Sequence, residues 1–323
     1  MNLKLLNQNE TRLMNLRDAY SAALIELGMK NPNIVVLDAD LALSTKTKRF
    51  ATQFPNRFFD FGIGEANMMG AAAGLATCGK TVFASTFAVF ATGRSYDQIR
   101  QSIAYPNLSV KIVATHAGIS VGGDGASHQM LEDIALMRVL PNMRVIAPAD
   151  ATMTRVAIYK ISEEKGPFYV RMGRADSPLI FESCDWFEIG KAVQIKDGED
   201  ITLVVTGPLL SEVLKAQELL KKEKISARVL LIHTIKPIDK EAVINASRET
   251  GGIITCEEHS IINGLGSAVA EAVSEEAPCQ IKRVGIGDVF GESGGPSELM
   301  SKYGIDSSHI AQAAKTLLKE RKK

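Results

Sequence analysis

Short apolar runs rich in β-branched residues alternate with helical patterns along the whole chain. In the first half, NIVVLDAD, KTVFAST, SVKIVATH, MRVIAPAD and PFYVRMG read as strands. Between them EANMMGAAAGLA, SYDQIRQSIA, MLEDIALMRVL and DATMTRVAIYKISEEK read as helices. This alternation predicts parallel sheet with crossover helices, since parallel neighbours cannot be joined by a tight hairpin. The stretch ADSPLIFESCDWFEIGKAVQIKDGED breaks the rhythm with the single tryptophan and a polar turn cluster, placing a domain junction near residues 175–195. A second alternation follows: ITLVVTG, ARVLLIHT, GIITCEEHS and IKRVGIGD as strands, with LLSEVLKAQELLKKEK, KEAVINASRE, LGSAVAEAVSEE and a C-terminal helix ending AAKTLLKERKK. The fold class is therefore α/β, in two domains, 11–180 and 190–323, each a mostly parallel sheet flanked by helices.

Length agrees, because 323 residues exceed one ordinary core and suit two. Lysine plus arginine equal aspartate plus glutamate at 37 each, so the overall charge offers nothing to nucleic acid or an anionic membrane. The opening MNLKLLNQNETRL has no long apolar region before a small-residue cleavage site, and no apolar run reaches membrane-spanning length. The expectation is a soluble, cytoplasmic protein. Cys78, Cys184, Cys256 and Cys279 show neither a CxxC pair nor metal-ligand spacing with histidine, and are expected to be buried thiols.

Candidate chemistry concentrates in ATHAGISVGGDGASHQ, residues 114–129, between the strand VKIVATH and the helix MLEDIALMRVL. Ligands of open parallel sheets bind beyond the carboxyl ends of the strands, so this loop lies where a site is expected. Its glycines at 118, 122, 123 and 125 allow turns closed to other residues. Taken singly, His116 ends a strand, Asp124 makes a turn and His128 caps a helix. Together on one loop they suit a polyhydroxylated substrate, because imidazoles and a carboxylate can hydrogen-bond hydroxyls and move protons near neutral pH.

This string resembles the corresponding loop of the transketolases, thiamine diphosphate enzymes that move a two-carbon ketol unit between sugar phosphates. The resemblance gives His116, Asp124 and His128 roles in catalysis and substrate binding. Those enzymes hold Mg2+ (or Ca2+) and the diphosphate through GDG followed, some two dozen or more residues on, by asparagine. Here Gly123-Asp124-Gly125 is followed first by Asn142, too early for that pattern, so the triplet is a decoy. The metal and diphosphate would then belong to a partner subunit carrying the GDG…N motif.

Other strings carry the resemblance further. In FDFGIGEANMMGAAAGLA, Glu65 stands in the first turn of a helix, where a carboxylate is ordinarily just favourable with the dipole. Ile63, Met68 and Met69 make the surroundings poor in water, and the family's glutamate in this segment bonds the cofactor's pyrimidine. Gly70, Ala71, Ala72, Ala73 and Gly74 would admit another backbone at a subunit interface, although helix-on-sheet packing explains them equally well. FASTFAVFATGRSYDQIR supplies Phe87 and Phe90, ordinarily core residues but stacked on the pyrimidine in the family. A further aromatic of some family members falls on Gly93, and Gly123 stands where many relatives have glutamate.

Arg17 in LRDAYSAALIELG and Arg174 in FYVRMGRADSP match the family's phosphate arginines, whose planar fork suits that group, while Arg171 reads as a strand-end charge. Asp40 and Ser44 in VVLDADLALSTKT match positions touching cofactor and substrate phosphate; Asp38 reads as a strand-end polar residue. CEEHS, with Glu257, Glu258 and His259, and GDVFGESGGPSELMSKYG resemble the family's C-terminal domain, which assists assembly without essential chemistry. His259, His233 and His309 are accordingly read as structural.

The resemblance spans the pyrimidine-binding and C-terminal domains of a transketolase but not its diphosphate-binding domain. It implies the C-terminal subunit of a split transketolase, paired with an N-terminal subunit in an α2β2 assembly and acting on sugar phosphates. The rivals are the beta subunit of a 2-oxoacid dehydrogenase and a non-catalytic regulatory partner of a thiamine enzyme.

Overall fold

The computed structural model describes residues 3–6 and 12–321. Residue 11, the expected start of the first domain, and the final residues 322–323 lie outside them.

The first domain is built on a sheet of seven strands in the spatial order Thr234–Lys236, Arg144–Ile146, Phe168–Arg171, Val110–Thr115, Thr81–Phe87, Ile34–Asp38 and Phe58–Asp60. All neighbours are parallel except the first pair. The central strands Ile34–Asp38 and Val110–Thr115 are buried at every position, as a sheet covered on both faces requires. On one face the helix Leu16–Lys30 packs against Ala151–Glu163. Each has a side-chain cap: Asn15 accepts from the Arg17 amide, and Asp150 from the Met153 amide. The other face is covered by Glu65–Thr77, whose Met68, Met69 and Ala72 are fully buried.

The second sheet runs in the order Ile281–Ile286, Ile253–Ser260, Ile201–Val205, Ala227–Leu231 and Val193–Lys196, with only the last pairing antiparallel. The strand Thr234–Lys236 follows this sheet's Ala227–Leu231 in sequence, yet pairs with Arg144–Ile146 of the first sheet. One domain thus completes the other's edge.

Several expectations need correction. SYDQIRQSIA does not form a regular α-helix; Tyr96–Gln98 continues into a wide π-type turn over Ile99–Ala104. In MLEDIALMRVL only Asp133–Arg138 is helical, because the preceding residues belong to the glycine loop. Cys184 and Cys256 are buried, but Cys78 is exposed and Cys279 half-buried, since both lie just beyond a covered helix face. Arg171 is not a free strand-end charge. Its Nε donates to Asp133 Oδ2 at 2.8 Å and its Nη2 to the Glu258 carbonyl at 2.8 Å, in a buried contact between the domains. Tyr169 donates to the same Asp133 oxygen at 2.7 Å, so the carboxylate is shared by two neighbours on its own domain.

No helix among the described residues is long and apolar enough to cross a membrane.

Candidate active site

Four adjacent parallel strands end side by side, and the candidate residues follow their carboxyl ends. Asp40 and Ser44 follow Ile34–Asp38, Glu65 follows Phe58–Asp60, Phe87 closes Thr81–Phe87, and His116 follows Val110–Thr115. Arg174 follows the next strand, Phe168–Arg171. Parallel pairing sets Phe87 opposite Thr115, and so brings Phe87 against His116.

The two rings stack, with centroids 3.7 Å apart and planes 21° from parallel. Phe90 stacks on Phe87 at 5.8 Å, and the His128 ring meets both phenylalanines edge-on, at 6.1 Å and 5.6 Å. His116 is only 3% exposed and its backbone is left-handed, φ 58°, a conformation that favours glycine. Such strain persists where the surroundings fix it, and here stacking and a 2.9 Å hydrogen bond between His116 Nδ1 and Thr115 Oγ1 do so. Burial, and then the positive charges of Arg17 and Arg174, push the imidazole down to about 3. His116 is therefore neutral at pH 7, a hydrogen-bonding group rather than a cation.

The arginines form the neighbouring wall. Arg17 donates from Nε to Asn15 Oδ1, from Nη1 to the Ser44 carbonyl and from Nη2 to the Arg174 carbonyl, each at 2.9 Å. Arg174 Nη1 donates to the Val121 carbonyl at 2.9 Å and lies 3.9 Å from Asp124 Oδ1. Burial and the nearby Arg174 lower the Arg17 guanidinium below its ordinary value, consistent with two cations held close together. Two forks bound largely to carbonyl oxygens, with Asp124 the nearest carboxylate at 3.9 Å from Arg174, suit an anionic ligand.

Asp38 is more than the strand-end polar residue expected. Buried, it accepts from the Leu41 amide at 2.8 Å, from Thr45 at 2.7 Å and from Thr47 at 2.8 Å, folding the turn that carries Ser44 to Arg17. Burial pushes its carboxyl up to about 6 against those hydrogen bonds. Asp40 is exposed and left-handed, φ 60°, with its amide donating to Asp60 Oδ1 at 2.9 Å. The contacts described above do not join it to the aromatic cluster.

Glu65 is buried in the first turn of Glu65–Thr77. Its setting differs from the apolar one expected: Ile63 is 79% exposed, and Arg94 Nη1 lies 3.1 Å from Glu65 Oε1. The same guanidinium sits over the Phe90 ring, 4.1 Å from its centroid. Arg94 thus ties the carboxylate to the aromatic pair, and sequence reasoning missed it. The only sequence signal for it was its place directly after Gly93, where some family members carry an aromatic; the wide turn Phe90–Arg94 that aims it is visible only in the structure.

The remaining histidines lie elsewhere. His259 is buried 3.9 Å from Asp133 and 3.7 Å from Glu257 at the domain interface. His233 stacks on Phe187 at 4.3 Å, and His309 pairs with Asp306 at 2.7 Å. Among the described residues no three histidine, cysteine, aspartate or glutamate side chains converge to hold a metal ion.

Residues 12–178 match the transketolase pyrimidine-binding domain and residues 190–310 the transketolase C-terminal domain. This chain belongs to the transketolase family. A Methanocaldococcus jannaschii protein bearing the name of a transketolase C-terminal section is 53% identical over 311 residues, spanning 95% of this chain and 96% of that protein. Human transketolase is 39% identical over 306 residues, covering 94% of this chain but 49% of the human protein. A solved split-gene transketolase, described as an inactive beta4 tetramer, superposes with a TM-score of 0.89 at 52% identity, over 95% of this chain and 99% of the other. In extent and fold the chain corresponds to the C-terminal section of a split transketolase, which favours that reading over the 2-oxoacid dehydrogenase one. Membership of the family implies thiamine diphosphate as the cofactor.

Proposed function

We propose that this chain is the C-terminal subunit of a split transketolase, active with an N-terminal subunit that supplies the metal and diphosphate ligands. The observation that carries the reading is the one-sidedness of the site. A buried carboxylate and a stacked aromatic pair suit an aminopyrimidine, whereas Gly123-Asp124-Gly125 is followed by Asn142 too early for the metal motif GDG…N. Human transketolase, about twice as long, is matched over only half its length.

Thiamine diphosphate, when bound, supplies the electron sink that lets the ketol carbon–carbon bond break. This chain's part follows from its own groups. Phe87 and Phe90 are assigned to stack on the pyrimidine, which requires Arg94 to move off the Phe90 ring, and Glu65 is assigned to hydrogen-bond a ring nitrogen. His116, neutral and wedged against Phe87, donates to or accepts from a sugar hydroxyl without adding charge. His128 and Asp124 bind further hydroxyls from the same loop, and Arg17 and Arg174 take the sugar phosphate, with Ser44 beside Arg17. Asp40 is assigned to the cofactor by its match to the family's position in VVLDADLALSTKT. Mg2+ (or Ca2+) is assigned to the N-terminal subunit, and the assembly to two copies of each chain in the cytoplasm.

A coupled ketol-transfer assay tests the reading. Mixing this chain with an N-terminal transketolase section, thiamine diphosphate, Mg2+ and sugar phosphates should give transfer. Its absence from a mixture shown to contain the assembled complex would favour the regulatory reading.

A further inference from the structure

The loop bearing Asp124 and His128 is anchored from the second domain. Glu258, on the strand Ile253–Ser260, is buried and accepts the Ser120 amide through Oε1 at 2.6 Å. A Cβ on Gly118 would lie 2.3 Å from that oxygen, and Gly118 has φ +89°, so glycine is required there on two grounds. The Glu258 carbonyl is held in turn by Arg171 at 2.8 Å. At the far end of the loop, Gln129 Nε2 donates to the Glu292 carbonyl at 2.8 Å. A Cβ on Gly291 would meet Gln129 Oε1 at 2.0 Å. Asp124 and His128 therefore lie between two anchors, Ser120 and Gln129, both fastened to the other domain.

We propose that Glu258 is a positioning residue: by fixing the Ser120 amide it sets where Asp124 and His128 stand, so the second domain governs the substrate loop without touching substrate. A short bond from an amide to a buried carboxyl group is a strong, directional tether.

Hydrogen exchange on the isolated chain tests this without cofactor, partner or turnover. In Glu258→Ala the amides of residues 119–124 should exchange at least about tenfold faster, while the strand Val110–Thr115 keeps its native rates. Glu258→Gln retains an acceptor oxygen and should stay near native. If the alanine variant does not fold, Glu258→Ser, too short to reach the amide, replaces it. Unchanged loop exchange, equal loosening of the strand, or a glutamine variant as loose as alanine would overturn the proposal. A second arm rests on the transketolase reading. In the reconstituted enzyme Glu258→Ala should raise KM for sugar phosphate about tenfold and leave the KM for thiamine diphosphate unchanged, with glutamine restoring it. Loosened exchange without ketol transfer in any variant, native included, would uphold the tether and sink the reaction.

Discussion

His116 joins the two walls of the site, with its ring on Phe87 and the fields of Arg17 and Arg174 acting on it. Phe87 and Phe90 could be singled out because they lie within one short string, and so could His128 and, beside Arg174, Asp124. Arg94 could not, because its meaning comes from Glu65, 29 residues earlier in the chain. Glu258 was less legible still, its target lying 138 residues away on another domain. At this scale Glu65→Gln should fold normally yet lose most ketol transfer, since an amide cannot supply a carboxyl proton. Near-native turnover with an unchanged melting temperature would remove Glu65 from the mechanism. Arg17→Ala or Arg174→Ala should raise KM for phosphorylated sugars by the equivalent of about 1.5 to 3 kcal/mol, the worth of a charge-assisted hydrogen bond, and leave an unphosphorylated donor little affected. Equal effects on both donors would place the phosphate elsewhere.

Among the elements, the parallel strands and their crossover helices could be read directly, because buried strands are continuous apolar runs and the helices keep their own period. The strand Thr234–Lys236 could not. It is three residues long and defined by pairing with the edge of the other sheet, which no local pattern encodes. The helix Glu65–Thr77 was found, and its small residues divide between two faces. Ala72 and Ala73 face the core, while Gly70 and Gly74 are exposed with nothing within 4 Å of an added Cβ. Two glycines four apart leave a flat strip on which another helix can lie closely. Gly70→Leu should therefore leave the melting temperature of the dissociated chain unchanged or raised, since leucine is the better helix former, while weakening self-association in sedimentation experiments. Undiminished association would place the subunit contact on another face.

Across the whole molecule, buried ionisable groups tie stability to pH. His233 is enclosed against Phe187, its Nε2 without a partner among the described residues, and burial pushes it down to about 4. The unfolded chain binds its proton near pH 6.5 and the folded one only near 4, so its contribution is intact above pH 6.5 and lost as pH falls toward 4. Asp38 and Glu257, pushed up to about 6 and about 7 by burial, act in the opposite sense, which makes the single-site difference the informative quantity. Relative to His233→Gln, the native chain should lose on the order of 3 kcal/mol of unfolding free energy between pH 6.5 and 4, measured by denaturant titration. A pH-independent difference would mean that His233 is protonated in the fold. The division of the cofactor between two chains is the larger claim, and calorimetric titration of thiamine diphosphate with Mg2+ addresses it most directly. The chain alone should bind the cofactor weakly, because the charged diphosphate and metal interactions are absent. With an N-terminal transketolase section added, binding should become tight and Mg2+-dependent. Tight, Mg2+-dependent binding by this chain on its own would contradict the account.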